Sequence, residues 1–299
     1  MTQRPWLDHY PAGIDPVLAE TTLAHVPALV RRASAEYAKT LAFTQVMANG
    51  MNGSLKYRDV DAHSDSFAAY LREVVGLKQG DRVAVQMPNA LAYPIVAFGV
   101  MKAGLVLVNT NPLYTPSEMI HQFKDSGAKA LVVIDMFADR LPEVLRETDI
   151  GTVVTVRISE FFPPIVAGVI RLVQKWWSKT LPRITVEHTS FRSALSAGEK
   201  HRTVAQVDAY LDGVGPDSLA ALQYTGGTTG VSKGAMLSHG NLVANTLQLL
   251  QMNGEYITPG KETALTALPL YHIFAFTVNL LGFYHVGARN ILIPSPRPP

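Results

Sequence analysis

The stretch from Gly80 to Asp135 constrains the fold more than any other part of this chain. Val83–Met87 is a short apolar run closed by Pro88-Asn89, the pattern of a buried strand. Ala90–Ala103 then carries apolar residues at helical spacing (Leu91, Ile95, Phe98, Val100, Met101), and Gly104 stands where a helix ends. Leu105–Val108 reads as the next strand. Thr115-Pro116-Ser117-Glu118 opens a second helix: Thr115 can cap it, Pro116 suits the first helical position, and Glu118 can return the capping hydrogen bond. Gly127 closes that helix, and Ala130–Ile134 is a third strand. Strand–helix–strand–helix–strand at this spacing predicts a parallel sheet covered by helices, an α/β fold.

Composition narrows what such a sheet can carry. No cysteine occurs among the 299 residues, which removes disulfides, thiolate zinc sites, iron–sulfur clusters and cysteine nucleophiles together. No two histidines have His-x-x-x-His spacing, so a zinc enzyme has no support. A net charge of +2 is too small to mark a nucleic-acid binder. With 47% hydrophobic and 17% charged residues the chain is not a disordered one. Its start holds Arg4, Asp8 and His9 without an apolar core, unlike a secretory signal. No run reaches the ~20 apolar residues of a membrane span. The expected location is the cytoplasm. A chain of this length sits near the limit of a single core, so internal subdivision is expected.

Other elements are fainter. Val26–Tyr37 and Asp59–Val75 read as amphipathic helices. Leu41–Met47 and Ser54–Tyr57 resemble a hairpin, with Asn52-Gly53 as its turn. Gly151–Arg157 and Asn290–Ile293 are apolar strands, Phe191–Ala194 is a helical turn, and the polar stretch Ala197–Asp217 looks like a linker. A second α/β unit is expected from Leu219 onward.

That unit holds the strongest chemical signal. The strand Leu219–Tyr224 runs into Thr225-Gly226-Gly227-Thr228-Thr229-Gly230-Val231-Ser232-Lys233-Gly234, and a helix over Asn241–Leu250 follows. Glycines let backbone N–H groups approach oxyanions, hydroxyls add donors, and the lysine supplies a point charge: the logic of phosphate binding. Lys233 precedes Gly234 rather than Ser or Thr, so this is not a Walker A loop. The bland alternative is a flexible glycine turn, which the three threonines and the lysine disfavour.

At Tyr224–Gly234 the chain resembles the signature loop of the acyl-adenylate-forming superfamily, Thr-Ser-Gly-Thr-Thr-Gly-x-Pro-Lys-Gly. It departs twice, with Gly226 for the serine and Ser232 for the proline, both still small. Gly80–Asn89, Ala103-Gly104, Val108–Pro116, Asp125–Ala128, Phe191–Leu195 and Ala267–Ala275 narrow the resemblance to bacterial long-chain fatty-acid–CoA ligases. It spans nearly the whole chain.

The resemblance implies an AMP-forming ligase that turns a long-chain fatty acid, ATP and CoA into acyl-CoA through acyl-AMP. It implies that Tyr224, Thr225, Gly226, Gly227, Thr228, Thr229, Gly230 and Lys233 hold the ATP phosphates, with Thr225 contacting Mg²⁺. Lys233 and His272 would act in catalysis. Tyr271, His272, Ile273 and Phe274 would shape the pocket of the acyl carboxylate. For a lone histidine in an apolar segment the competing reading is a packed core residue; coincidence with the loop at family spacing favours the site. The family is often dimeric. Its fold implies two stacked αβ subdomains of an N-terminal domain: 1–79 with 216–299, carrying the phosphate loop, and 80–215. The strands from Leu219 onward would form a sheet with the N-terminal region.

Phe161–Lys179 stands apart. Ile165, Val166, Val169, Ile170, Val173, Trp176 and Trp177 form a broad apolar surface, flanked by Arg171, Lys175 and Lys179. Such a basic amphipathic segment can lie on a membrane, here on the inner face of the cell membrane, or pack on the core as an ordinary surface helix. The chain ends in a proline cluster after Asn290–Ile293, before the family's Tyr-Gly-x-Thr-Glu and Thr-Gly-Asp segments and its C-terminal domain. The expectation is therefore an N-terminal portion without turnover of its own. Two other readings stand beside it: a ligase for another carboxylic acid, and a non-catalytic nucleotide-binding, lipid-binding or self-associating module.

Overall fold

In the computed structural model, residues 5–11, 14, 15, 17, 18, 21–225 and 232–294 are described. Among them, α1 (Val26–Glu36), β1 (Leu41–Val46), β2 (Asn52–Lys56) and α2 (Tyr57–Ala69) open the fold. The α/β run follows as β3 (Arg82–Gln86), α3 (Ala92–Lys102), β4 (Val106–Asn109), α4 (Pro116–Ser126) and β5 (Ala128–Ile134). Then come α5 (Leu141–Arg146), β6 (Thr152–Val156), α6 (Pro164–Leu172), β7 (Thr189–Ser190), α7 (Phe191–Glu199) and α8 (Val204–Ala209). The last elements are β8 (Leu219–Thr225), β9 (Lys233–Ser238), α9 (His239–Asn253), β10 (Thr263–Thr266) and β11 (Arg289–Leu292).

The strands form two sheets. The larger has the order β7-β6-β5-β3-β4-β8-β9 and the smaller β10-β11-β1-β2. Every neighbour pair in the larger sheet is parallel except β8–β9. Its inner strands β3, β4, β5 and β6 are largely apolar because both faces are covered there. Val83, Val85, Leu107, Val132 and Val154 point into one core, while Ala84, Val108, Leu131, Val133 and Val153 point into the other. The second core is closed by Met119 and Phe123 of α4 and by Leu141 and Val144 of α5.

Helix α4 matches its sequence signals. Thr115 accepts from the Glu118 N–H, Glu118 accepts from the Thr115 N–H, and Gly127 ends the helix in the left-handed conformation. Between α2 and α3, Lys102 is almost completely buried and bonds Asp61 (2.6 Å) and Asp65 (2.8 Å), which Arg31 of α1 also reaches.

Four expectations change. The hairpin turn falls at Met47–Met51, with Gly50 at φ 82°, and Asn52-Gly53 lie inside β2. Gly53 is glycine for another reason: a Cβ there would stand 2.7 Å from the Phe162 ring. The Ala197–Asp217 stretch is not a linker. It holds the end of α7 and all of α8, anchored by buried Val207 and Tyr210, and α7 approaches α2 so closely that a Cβ on Gly198 would lie 1.8 Å from the Ser66 carbonyl oxygen. β8 joins the larger sheet beside β4 rather than the sheet of the N-terminal region, which instead takes β10 and β11. The fourth is β9, which separates the glycine-rich loop from α9.

Candidate functional site

The glycine-rich loop connects two antiparallel strands, where the sequence suggested a strand-to-helix passage. Thr225 pairs with Lys233 in the β8–β9 register, and the Ser232 hydroxyl donates to the Thr225 carbonyl at 2.9 Å. His121 of α4 lies 3.1 Å from the Ser232 carbonyl through Nε2, which ties the loop base to α4. Thr225 and Lys233 are both exposed, one at each end of the loop. Gly226, Gly227, Thr228, Thr229 and Gly230 lie outside the described residues.

Tyr224 is placed differently from its neighbours. Its hydroxyl donates to the Asp125 carboxylate of α4, and burial, reinforced by that carboxylate, pushes its pKa well up. Gly234 faces the ring: a Cβ there would stand 2.9 Å from it. Any contribution of Tyr224 to the loop is therefore through its backbone, while its side chain locks β8 to α4.

The Tyr271–Phe274 segment is held at the carboxyl end of the same sheet, where open α/β folds gather ligands. Asn89, just past β3, has its amide nitrogen 3.0 Å from each of the Thr266 and Leu268 carbonyls, and its oxygen accepts from the Leu270 N–H at 2.8 Å. From β8, Gln223 donates to the Tyr271 carbonyl at 3.0 Å. Asn109, at the end of β4, donates to Gln223 at 3.1 Å and accepts from the Tyr93 hydroxyl at 2.7 Å. These buried amides place the segment, and being neutral they carry no charge or nucleophile that marks them in the sequence. Their signal was a polar residue at the end of an apolar strand.

His272 is exposed and caps the helical turn Ile273–Ala275, its Nδ1 accepting from the Phe274 N–H at 3.4 Å. It is not a packed core residue. The Tyr271 hydroxyl donates to Asn111 at 3.2 Å; burial, with Tyr114 nearby, raises its pKa. Ile273 is half-buried and Phe274 exposed. Gln223 thus draws together the base of the loop and the His272 segment. A largely apolar groove of about 320 Å³ opens between α9 and the turn Phe276–Phe283, lined by Leu249, Leu250, Val278 and Phe283, with Asn253 and Glu262 also on its wall.

Among the described residues no three His, Asp or Glu side chains cluster as metal ligands. The protein donors at hand are the hydroxyl of Thr225 and the ammonium of Lys233, groups that suit phosphate oxygens.

Known proteins resemble this chain in sequence and in fold. The chain is 40% identical to a long-chain-fatty-acid–CoA ligase of Salmonella typhimurium over 99% of its length and 51% of that relative's. For the namesake of Haemophilus influenzae the identity is 39%, with the same coverage. The crystal structure of a long-chain-fatty-acid-CoA ligase from Archaeoglobus fulgidus superposes with a TM-score of 0.72 at 22% identity, covering 96% of this chain and 50% of that one. The chain spans about half the length of the curated relatives it matches, and its two-sheet α/β architecture is that of the N-terminal domain of adenylate-forming enzymes. Residues 30–299 match the AMP-binding enzyme family, and the chain belongs to that family.

Proposed function

We propose that this chain is the N-terminal portion of an AMP-forming long-chain fatty-acid–CoA ligase. The observation that carries the proposal is the Gln223–Tyr271 bond, which sets the loop base and the His272 segment side by side. In the reaction, a carboxylate oxygen of the fatty acid attacks the α-phosphorus of ATP and pyrophosphate leaves with the bonding electrons. The thiol of CoA then attacks the acyl carbon, and AMP departs.

Each residue has a task in this reading. Backbone N–H groups of 226–230 with Thr225 and Lys233 hold the triphosphate and neutralise its charge; electrostatic preorganisation of this kind needs no covalent step by the protein. Thr225 is the protein's contact to Mg²⁺, which when bound screens the phosphate oxygens. His272, free of the core, stands beside the acyl carboxylate and the adenylate. Tyr271, Ile273 and Phe274 bound the pocket, and the groove beside α9 suits part of an acyl chain. The other half of the relatives' length supplies the rest of the machinery, so residues 1–299 alone release no acyl-CoA. The enzyme works in the cytoplasm with peripheral access to the inner face of the cell membrane, and forms homodimers.

The test is acid-dependent pyrophosphate release by the full-length gene product, across a panel from short to long fatty acids with aromatic and amino acids added. Highest turnover with long-chain acids supports the reading. Preference for an aromatic or amino acid replaces the substrate, and nucleotide binding without pyrophosphate release makes the protein a non-catalytic module. Acyl-CoA formed by residues 1–299 alone refutes the requirement for the remainder.

A further inference from the structure

Helix α4 presents two polar side chains to the glycine-rich loop, and both act on its stem. His121 and Asp125 are four residues apart, so they stand one turn apart on the same face of the helix. Their partners lie 111 and 99 residues further along the chain. His121 Nε2 is 3.1 Å from the Ser232 carbonyl; a carbonyl only accepts, so Nε2 carries the hydrogen. The Asp125 carboxylate accepts from the Tyr224 hydroxyl. Ser232 in turn donates its hydroxyl to the Thr225 carbonyl at 2.9 Å, beside the Thr225–Lys233 pair. The contacts close a ring that runs from Asp125 through Tyr224, Thr225 and Ser232 to His121, and back along one turn of α4.

The helix is a firm base for this ring. The capping box and Gly127 hold its ends, Met119 and Phe123 sink into the core, and buried Gln122 donates to the Asn109 carbonyl at 2.9 Å. The ring also meets a need that this particular sequence creates. Ser232 stands where the usual form of the loop has proline, whose own ring would hold φ near −65°. Serine leaves that torsion free, and here its hydroxyl and its carbonyl are both tied instead.

We propose that His121 and Asp125 are positioning residues for the nucleotide triphosphate. They hold the two stems of the loop together, so that Thr225 and Lys233 meet the phosphates without first having to be ordered. Both act through the loop and neither touches the nucleotide. This role rests on the ligase reading of the loop. It also separates nucleotides by their phosphates: AMP lacks the two phosphates that a braced loop serves, whereas a contact that served only the fold would affect ATP and AMP alike.

The test titrates the full-length gene product with ATP and with AMP in a calorimeter, without fatty acid. H121L and D125A are each expected to raise the Kd for ATP about tenfold and to leave that for AMP within about twofold. H121Q, whose amide still donates, and D125N, whose amide oxygen still accepts, should recover most of the loss. Should D125A fail to fold, Tyr224→Phe loses only the hydroxyl and should show the same preference for impairing ATP. In pyrophosphate release the KM for ATP should rise in H121L while the KM for the acid stays. Unchanged ATP affinity in H121L and D125A, equal losses for ATP and AMP, or H121Q no better than H121L would overturn the proposal and leave the ligase reading standing. A wild-type protein that binds no ATP would overturn both.

Discussion

Gln223 donates to the Tyr271 carbonyl at 3.0 Å while its amide oxygen accepts from Asn109. One side chain therefore couples β4, β8 and the segment that carries His272. Gln223→Leu keeps the approximate volume and leaves the Asn109 amide and the Tyr271 carbonyl without these partners. The expected loss is about 2 kcal/mol of unfolding free energy. Pyrophosphate release should fall further than this destabilisation explains, measured where the variant is still folded by chemical denaturation.

Lys102 sits 2.6 Å from Asp61 and 2.8 Å from Asp65 with its side chain 1% exposed. Lys102→Met removes the cation and leaves Asp65 buried with Arg31 as its remaining partner. Breaking a buried ion group from one side costs about 3–5 kcal/mol. Lys102→Met combined with Asp65→Asn should be milder than the sum of the two single changes. Urea unfolding of the three variants completes that cycle.

His239, the first residue of α9, accepts from the Val26 N–H through Nδ1 at 3.4 Å. Burial, and then the nearby His25, lowers its pKa from 6.5 to about 4. The unfolded chain takes up this proton first as pH falls. Stability is therefore intact above pH 6.5 and declines between pH 6.5 and 4, by at most about 3 kcal/mol from this residue. His25, also lowered by burial, acts in the same direction. Denaturation midpoints at pH 7.5, 6 and 5 should fall in that order, and His239→Gln should flatten the trend.

Gly198 allows α7 to rest on α2. A methyl there would meet the Ser66 carbonyl oxygen at 1.8 Å, and backbone cannot step aside as a flexible side chain can. Gly198→Ala is expected to cost about 3 kcal/mol, the upper range for overpacking. Thermal unfolding should show it, whereas Gly151→Ala, with open space around it, should stay near wild type.

These residues also mark where sequence reasoning worked and where it stopped. The Thr115–Glu118 box, Gly127 and the apolar runs of β3, β4, β5 and β6 are local signals, and local structure follows them. Asn52-Gly53 imitates a turn, yet Gly53 answers to Phe162, far along the chain. β9 went unseen because Lys233–Ser238 is an edge strand without an apolar run; only its pairing with β8 makes it a strand. At the site, the loop and the His272 segment were visible as motifs. Gln223, Asn109 and Asn89 were not, because a neutral amide acquires its role from partners that only the folded topology supplies.

The small sheet has a further consequence for how the molecule is made. β1 pairs with β2 on one side and with β11 on the other, Phe43 facing Asn290. During synthesis β1 and β2 can close at once as a hairpin, and a lone hairpin is marginal in water. The other edge of β1 must stay open until Asn290–Leu292 leaves the ribosome. Between the synthesis of β2 and that of β11 this polypeptide therefore carries a half-satisfied strand, and contacts of such long sequence separation form slowly. An emerging chain of this kind is a natural client for chaperones that shield exposed strand edges.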